Sequence, residues 1–132
     1  MLDHVSLGAN DIARAKAFYV PVLATVDLRV VDEAAGRFVD FGPDGPDSLE
    51  FSLETPADGA PATAANGVHV AFRASSRESV NAFHAAALAH GGRCAGPPGP
   101  RSQYATGYYA AFVFDLEGNK IEAVYHAEVR AG

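Results

Sequence analysis

Two short stretches alternate apolar and polar residues with a period of two. In His4-Val5-Ser6-Leu7, Val5 and Leu7 fall on one side and His4 and Ser6 on the other; in Val68-His69-Val70-Ala71-Phe72, Val68, Val70 and Phe72 oppose His69 and Ala71. This alternation predicts strands buried on one face. Each stretch gives way to helical spacing. Ile12, Ala15, Phe18, Tyr19 and Val22 lie on one stripe, as do Val80, Phe83, Ala87 and Leu88, so each helix can cover a sheet. Asn10 and Ser75 stand where N-caps are expected, and Ser75-Ser76-Arg77-Glu78 has the form of a capping box. Pro21 is expected to end or bend the first helix, and Gly91-Gly92 to terminate the second.

Strand-like segments follow each helix: Leu28–Val31, Arg37–Phe41 and Ser48–Leu53 in the first half, Tyr109–Phe114 and Lys120–Tyr125 in the second. Gly42-Pro43-Asp44-Gly45 and Glu117-Gly118-Asn119 are turn signals between them. Gly96-Pro97-Pro98-Gly99-Pro100 reads as the opening of a long loop. The halves also match in sequence. At a constant offset of 65, seven of the 21 positions from His4 to Ala24 are identical to those from His69 to Ala89, the mark of an internal duplication. The expectation is an α+β fold of two tandem βαβββ modules in a single domain spanning 1–132: module 1 at about 1–56, a linker at about 57–65, and module 2 at about 66–128.

With 132 residues, 48% of them hydrophobic and 20% charged, the chain suits one domain with a core that needs no disulfides. The lone Cys94 has no partner in the chain; it reads as a small buried hydrophobe and points to a reducing compartment. Ten Lys and Arg against sixteen Asp and Glu leave a net charge of −6, which argues against nucleic acid as a partner. Met1-Leu2-Asp3-His4 lacks a signal-peptide pattern, and no apolar run approaches the roughly 20 residues of a bilayer span. A cytoplasmic location without membrane association is expected.

Strand parity then isolates the polar residues. His4 and His69 leave their strands on the face away from the helix. In Leu49–Leu53 the apolar Leu49, Phe51 and Leu53 leave Glu50 on the opposite face, and Ile121 and Ala123 do the same for Glu122. Each module thus offers one His and one Glu on equivalent strands. Two imidazoles and two carboxylates suit a divalent ion such as Zn²⁺, Ni²⁺, Mn²⁺ or Fe²⁺. Arg101, Tyr104, Tyr108 and Tyr109, just before the strand at 110–114, read either as substrate-orienting groups or as loop cover and cross-strand packing. Arg101 and Arg73 could meet an anion. His84 and His90 read as ordinary helix residues, and His126, on the face of Glu122, as exposed.

Leu2-Asp3-His4-Val5, Gly67-Val68-His69-Val70-Ala71-Phe72 and Asp115-Leu116-Glu117-Gly118-Asn119-Lys120-Ile121-Glu122 carry a family likeness. Over nearly its whole length the chain resembles the vicinal oxygen chelate superfamily, which includes glyoxalase I, bleomycin and fosfomycin resistance proteins and extradiol dioxygenases. The resemblance implies two βαβββ modules forming a curved mixed sheet with helices on the outer face, around a metal-lined cleft. It matches His4, His69 and Glu122 to three recurrent metal ligands. Glu50 takes the place of a fourth, found in glyoxalase I but not in extradiol dioxygenases. Lyase or isomerase chemistry follows, in which the ion stabilises an enediolate. Glu50 or Glu122 serves as the base, Glu122 being the firmer ligand and Glu50 the more displaceable. The alternatives are a metal-free drug- or metabolite-binding protein of the bleomycin-resistance kind, a fosfomycin-resistance-like thiol transferase, and an extradiol dioxygenase. The family also implies a homodimer, swapped or unswapped. Where a related bacterial group carries loop histidines, Gln103 and Ala105 stand here.

Overall fold

In the computed structural model, which describes residues 1–127, the duplicated pattern becomes two four-stranded mixed sheets, each backed by one helix. The end of the second module expected at about residue 128 lies outside the described residues. The first half runs β1 (Val5–Gly8), α1 (Ile12–Ala24), β2 (Arg29–Ala34), β3 (Phe38–Gly42) and β4 (Phe51–Glu54). The second runs β5 (His69–Arg73), α2 (Arg77–Ala89), β6 (Arg93–Pro100), β7 (Tyr108–Phe114) and β8 (Lys120–His126). Strand orders are β1-β4-β3-β2 and β5-β8-β7-β6. The first strand of each module pairs in parallel with the last, and the remaining pairs are antiparallel. No helix among the described residues is long and apolar enough to cross a membrane.

Both helices begin one residue later than the sequence suggests. Asp11 caps α1 by accepting from the Arg14 amide at 3.0 Å, and Ser76 caps α2 by accepting from the Ser79 amide at 3.0 Å. Asn10, released from capping, fastens the linker: its side chain donates to the Ala62 carbonyl and accepts from the Ala62 amide, and it also donates to Glu117. Pro21 does not end α1, which continues to Ala24. The hydrogen bond that proline cannot donate is offset by the complete burial of Val22 and Leu23 in that last turn. In α2, Val80, Phe83 and Ala87 are buried as expected, but Leu88 is 41% exposed.

The Gly96–Pro100 segment is not a loop. It forms the outer part of β6, paired with β7 through two register shifts. Three prolines are tolerated there because β6 is an edge strand, where a missing N–H breaks no ladder on the open side. Cys94, on the same edge, is exposed rather than buried, and its Sγ lies 3.2 Å from His84 Nε2.

The two modules share one core. Tyr19 of α1 lies 5.1 Å, centroid to centroid, from Phe51 of β4, which meets Phe72 of β5 edge-on at 5.2 Å. Tyr19 also sends its hydroxyl across the junction to Asp115 Oδ2 at 2.6 Å. Burial, reinforced by the Asp115 charge and hydrogen bond, raises the Tyr19 pKa well above its usual 10. The folded state therefore holds this proton more tightly than the unfolded chain does. Its contribution to stability is complete below pH 10 and declines as pH climbs from there through the folded pKa. Between pH 10 and 11 this one group should cost about 1 kcal/mol of stability. Urea titrations at pH 9, 10 and 11 should show that loss in the wild type and a smaller one in Tyr19→Phe; equal losses would exclude the assignment.

Candidate functional site

Each helix covers one face of its sheet and leaves the other open. On the open face of the second sheet, Glu122 stands beside Phe112 of β7 and Ala71 of β5. It is 1% exposed. Its Oε1 lies 3.0 Å from His69 Nε2, which leans across from the neighbouring rung, and its Oε2 accepts the Tyr108 hydroxyl. A carboxylate removed from water is costly unless its oxygens are occupied, and here both are. Burial, then donation to Glu122 and the nearby Glu122 and Tyr104 groups, push the Tyr108 pKa up to about 12. Tyr108 therefore stays protonated and donating at neutral pH.

The other tyrosines divide by parity. Tyr104 packs on Tyr108 with centroids 5.2 Å apart, and so adjoins the Glu122 site. Tyr109, one residue along β7 from Tyr108, points to the helix side, where its hydroxyl donates to Asn81 Oδ1 at 2.8 Å and Arg77 stacks on its ring. Arg101 lies in the turn joining β6 to β7, its amide bonded to the Tyr108 carbonyl at 2.7 Å and its guanidinium 5.7 Å from the Phe112 centroid. His126 is exposed and meets the Tyr108 ring edge-on at 5.1 Å. His90 closes α2, its Nδ1 2.8 Å from the Ala86 carbonyl oxygen.

In the first sheet, Val5 pairs with Phe51, so His4 and Glu50 immediately precede that rung on adjacent strands. They border one cavity of about 310 Å³, together with Arg73 of β5. Both are exposed. His4 Nδ1 is 2.6 Å from Asp3 Oδ2, while the Glu50 side chain has no hydrogen-bond partner among the described residues. The expected strand from Ser48 begins only at Phe51, so Glu50 immediately precedes β4, the equivalent of the strand β8 that carries Glu122, and the two acids do not share a rung. With His4 laid on His69, Glu50 corresponds to Lys120, and Glu122 corresponds to Ser52, which is likewise 1% exposed and donates to Asp40 at 2.6 Å. His69 borders a different cavity, of about 540 Å³, with Lys120 and Phe114. A single chain thus presents two separate His and Glu pairs, and among the described residues no group of three or more His, Cys, Asp or Glu side chains converges.

A family model described as the Glyoxalase/Bleomycin resistance protein/Dioxygenase superfamily matches residues 1–123. The chain belongs to this superfamily. A solved structure described as a glyoxalase/bleomycin resistance protein from Albidiferax ferrireducens T118 is similar at 36% identity and a TM-score of 0.82, covering 96% of this chain and 99% of that one. A lactoylglutathione lyase from Agrobacterium tumefaciens shares the fold at 22% identity and a TM-score of 0.64, covering 95% and 92%. A V278E mutant of glyoxalase I from Zea mays does so at 19% identity and a TM-score of 0.68; the match covers 95% of this chain but 46% of that longer one. No curated protein matches.

Members of the superfamily typically bind a divalent metal, and the donors here can be tested against one. Around an ion bonded at about 2.1 Å, neighbouring corners of an octahedron stand about 3 Å apart. His69 Nε2 and Glu122 Oε1 have that separation. A buried carboxylate whose partners are an imidazole and a neutral hydroxyl is also a place that a cation stabilises. The pair fits an ion, and it supplies only two donors. Phe112 and Lys120, which flank the pair, are site neighbours to which the sequence pattern assigned no role, although Lys120 lies inside the Asp115–Glu122 motif. The period-two rule that exposed Glu122 applies equally to both.

Proposed function

We propose that this superfamily member is a metal-dependent enzyme of the lyase or isomerase type, acting on a small molecule with adjacent oxygens. The reading rests on the buried Glu122 carboxylate, held by Tyr108 and set 3.0 Å from His69. His69 and Glu122 would hold one side of a divalent ion, and His4 and Glu50 would supply the other from a second copy of the chain, because within one copy His69 borders a different cavity from His4 and Glu50. A homodimer with two equivalent sites follows, working in the cytoplasm with no membrane or nucleic acid partner. When bound, the ion supplies Lewis acidity to the substrate oxygens.

The chain's own residues divide the remaining work. Glu122 is a fixed donor, since both its oxygens are engaged and it cannot swing without leaving the Tyr108 hydroxyl unpaired. Glu50 is suited to move a proton, being open to solvent and without a hydrogen-bond partner among the described residues. Tyr108 fixes the Glu122 rotamer, and Tyr104 backs Tyr108. Metal analysis of protein purified without chelator should find about one divalent ion per chain. His69→Ala and Glu122→Ala should lose it, and chelator should lower the wild-type melting temperature by mass action. A wild type that retains no ion under any loading condition would end this reading and favour a metal-free binding protein.

A further inference from the structure

We propose that the open face of the second sheet carries an anion subsite, formed by Lys120 and Arg101 over the Phe112 ring, which takes a carboxylate or phosphate on the substrate. The inference rests on the functional reading above for its substrate, but the subsite is defined by geometry alone. Lys120 Nζ lies 4.9 Å from the Phe112 centroid and the Arg101 guanidinium carbon 5.7 Å, so two cations attend one ring. Neither has a carboxylate within ion-pair distance among the described residues. In a chain of net charge −6, acids are in excess, and yet among the described residues these two stand without one.

Their placement is built in. Arg101 is held by donating to the Pro97 carbonyl at 2.5 Å and the Pro100 carbonyl at 3.3 Å. The space it enters exists because residue 96, opposite Phe112 on β6, is glycine: a Cβ there would come within 3.0 Å of Phe112 and 3.4 Å of the guanidinium. Lys120 pairs in register with His69 and borders the same cavity of about 540 Å³. Phe112, the ring that both cations attend, pairs in register with Glu122, so a molecule whose oxygens face His69 and Glu122 has Lys120 beside it and Arg101 across the Phe112 ring. Arg offers a planar fork and Lys a point charge, a combination suited to the oxygens of a carboxylate or phosphate, and the Phe112 ring attracts each cation.

The test uses metal-free protein, so that it is independent of the ion, and titrates three probes by calorimetry: succinate, its neutral diamide, and inorganic phosphate. Succinate, phosphate or both should bind, and the stronger of the two names the anion; the diamide should not bind. Losing one charged hydrogen bond should weaken binding on the order of tenfold in Lys120→Gln and in Arg101→Gln. Added salt should weaken the wild type as well. Equal binding of succinate and its diamide, or affinities unchanged in both variants, would overturn the subsite. So would loss of the dimer in the two variants, by sedimentation, with anion binding retained, since the cations would then belong to the subunit contact. Loss of metal binding in His69→Ala with anion binding intact supports the subsite, and a wild type that binds the anion but retains no ion under any loading condition sinks only the enzyme reading.

Discussion

Phe51→Ala should lower stability by about 3–5 kcal/mol, the largest single effect expected in this protein. Phe51 is 1% exposed, and its ring touches three others: Tyr19 at 5.1 Å and Phe41 at 6.1 Å in its own module, and Phe72 at 5.2 Å in the other. Removing it opens a void at the junction, where neither sheet can collapse inward without dragging its helix. Folded domains are stable by only about 5–15 kcal/mol, so the variant should unfold at much lower urea. Phe51→Leu, which keeps most of the volume, should cost under about 2 kcal/mol. A cost below about 1.5 kcal/mol for the alanine variant would mean that the modules do not share a core.

Asp115→Ala should cost about 3 kcal/mol or more, through polar groups rather than volume. The Asp115 carboxylate accepts from the Glu117 amide at 2.9 Å, from the Asn119 amide at 2.8 Å, from Asn119 Nδ2 at 3.0 Å and from the Tyr19 hydroxyl at 2.6 Å. Alanine leaves a buried hydroxyl and the turn's amides without their acceptor. The cycle with Tyr19→Phe isolates the inter-module part. Because that background has already lost the hydroxyl, Asp115→Ala should cost less there, with a coupling of about 1–2 kcal/mol. Additive losses would show that the hydroxyl contributes nothing to holding the modules together.

The duplication and the fold were legible because both helices and all four parallel-paired strands have clean periodicity, and the 65-residue offset survives in the true caps, Asp11 and Ser76. What escaped was mostly a matter of neighbours. The prolines of β6 mimic a loop unless the strand is known to lie at an edge. The exposure of Cys94 follows from that same edge. Tyr108 and Tyr109 were grouped although adjacent strand residues cannot share a face, so one of the pair was bound to turn toward α2. Glu50 and Glu122 look equivalent in sequence because each follows an apolar residue in an alternating stretch near the end of its module; only the register against β1 and β5 shows that Ser52, not Glu50, corresponds to Glu122 in the repeat. The Tyr19–Asp115 and Asn10–Glu117 contacts join residues 96 and 107 positions apart, and nothing local encodes them.

That displacement by one rung bears on stereochemistry. A chamber lined by two truly identical halves would present the same groups to both sides of a flat reacting carbon. Here one side would meet a sunken carboxylate clamped by a phenol, and the other an exposed carboxylate, so the two approaches differ in access to water. On the proposed function, the two approaches to such a carbon would not be interchangeable, although the strand register is the same in both halves.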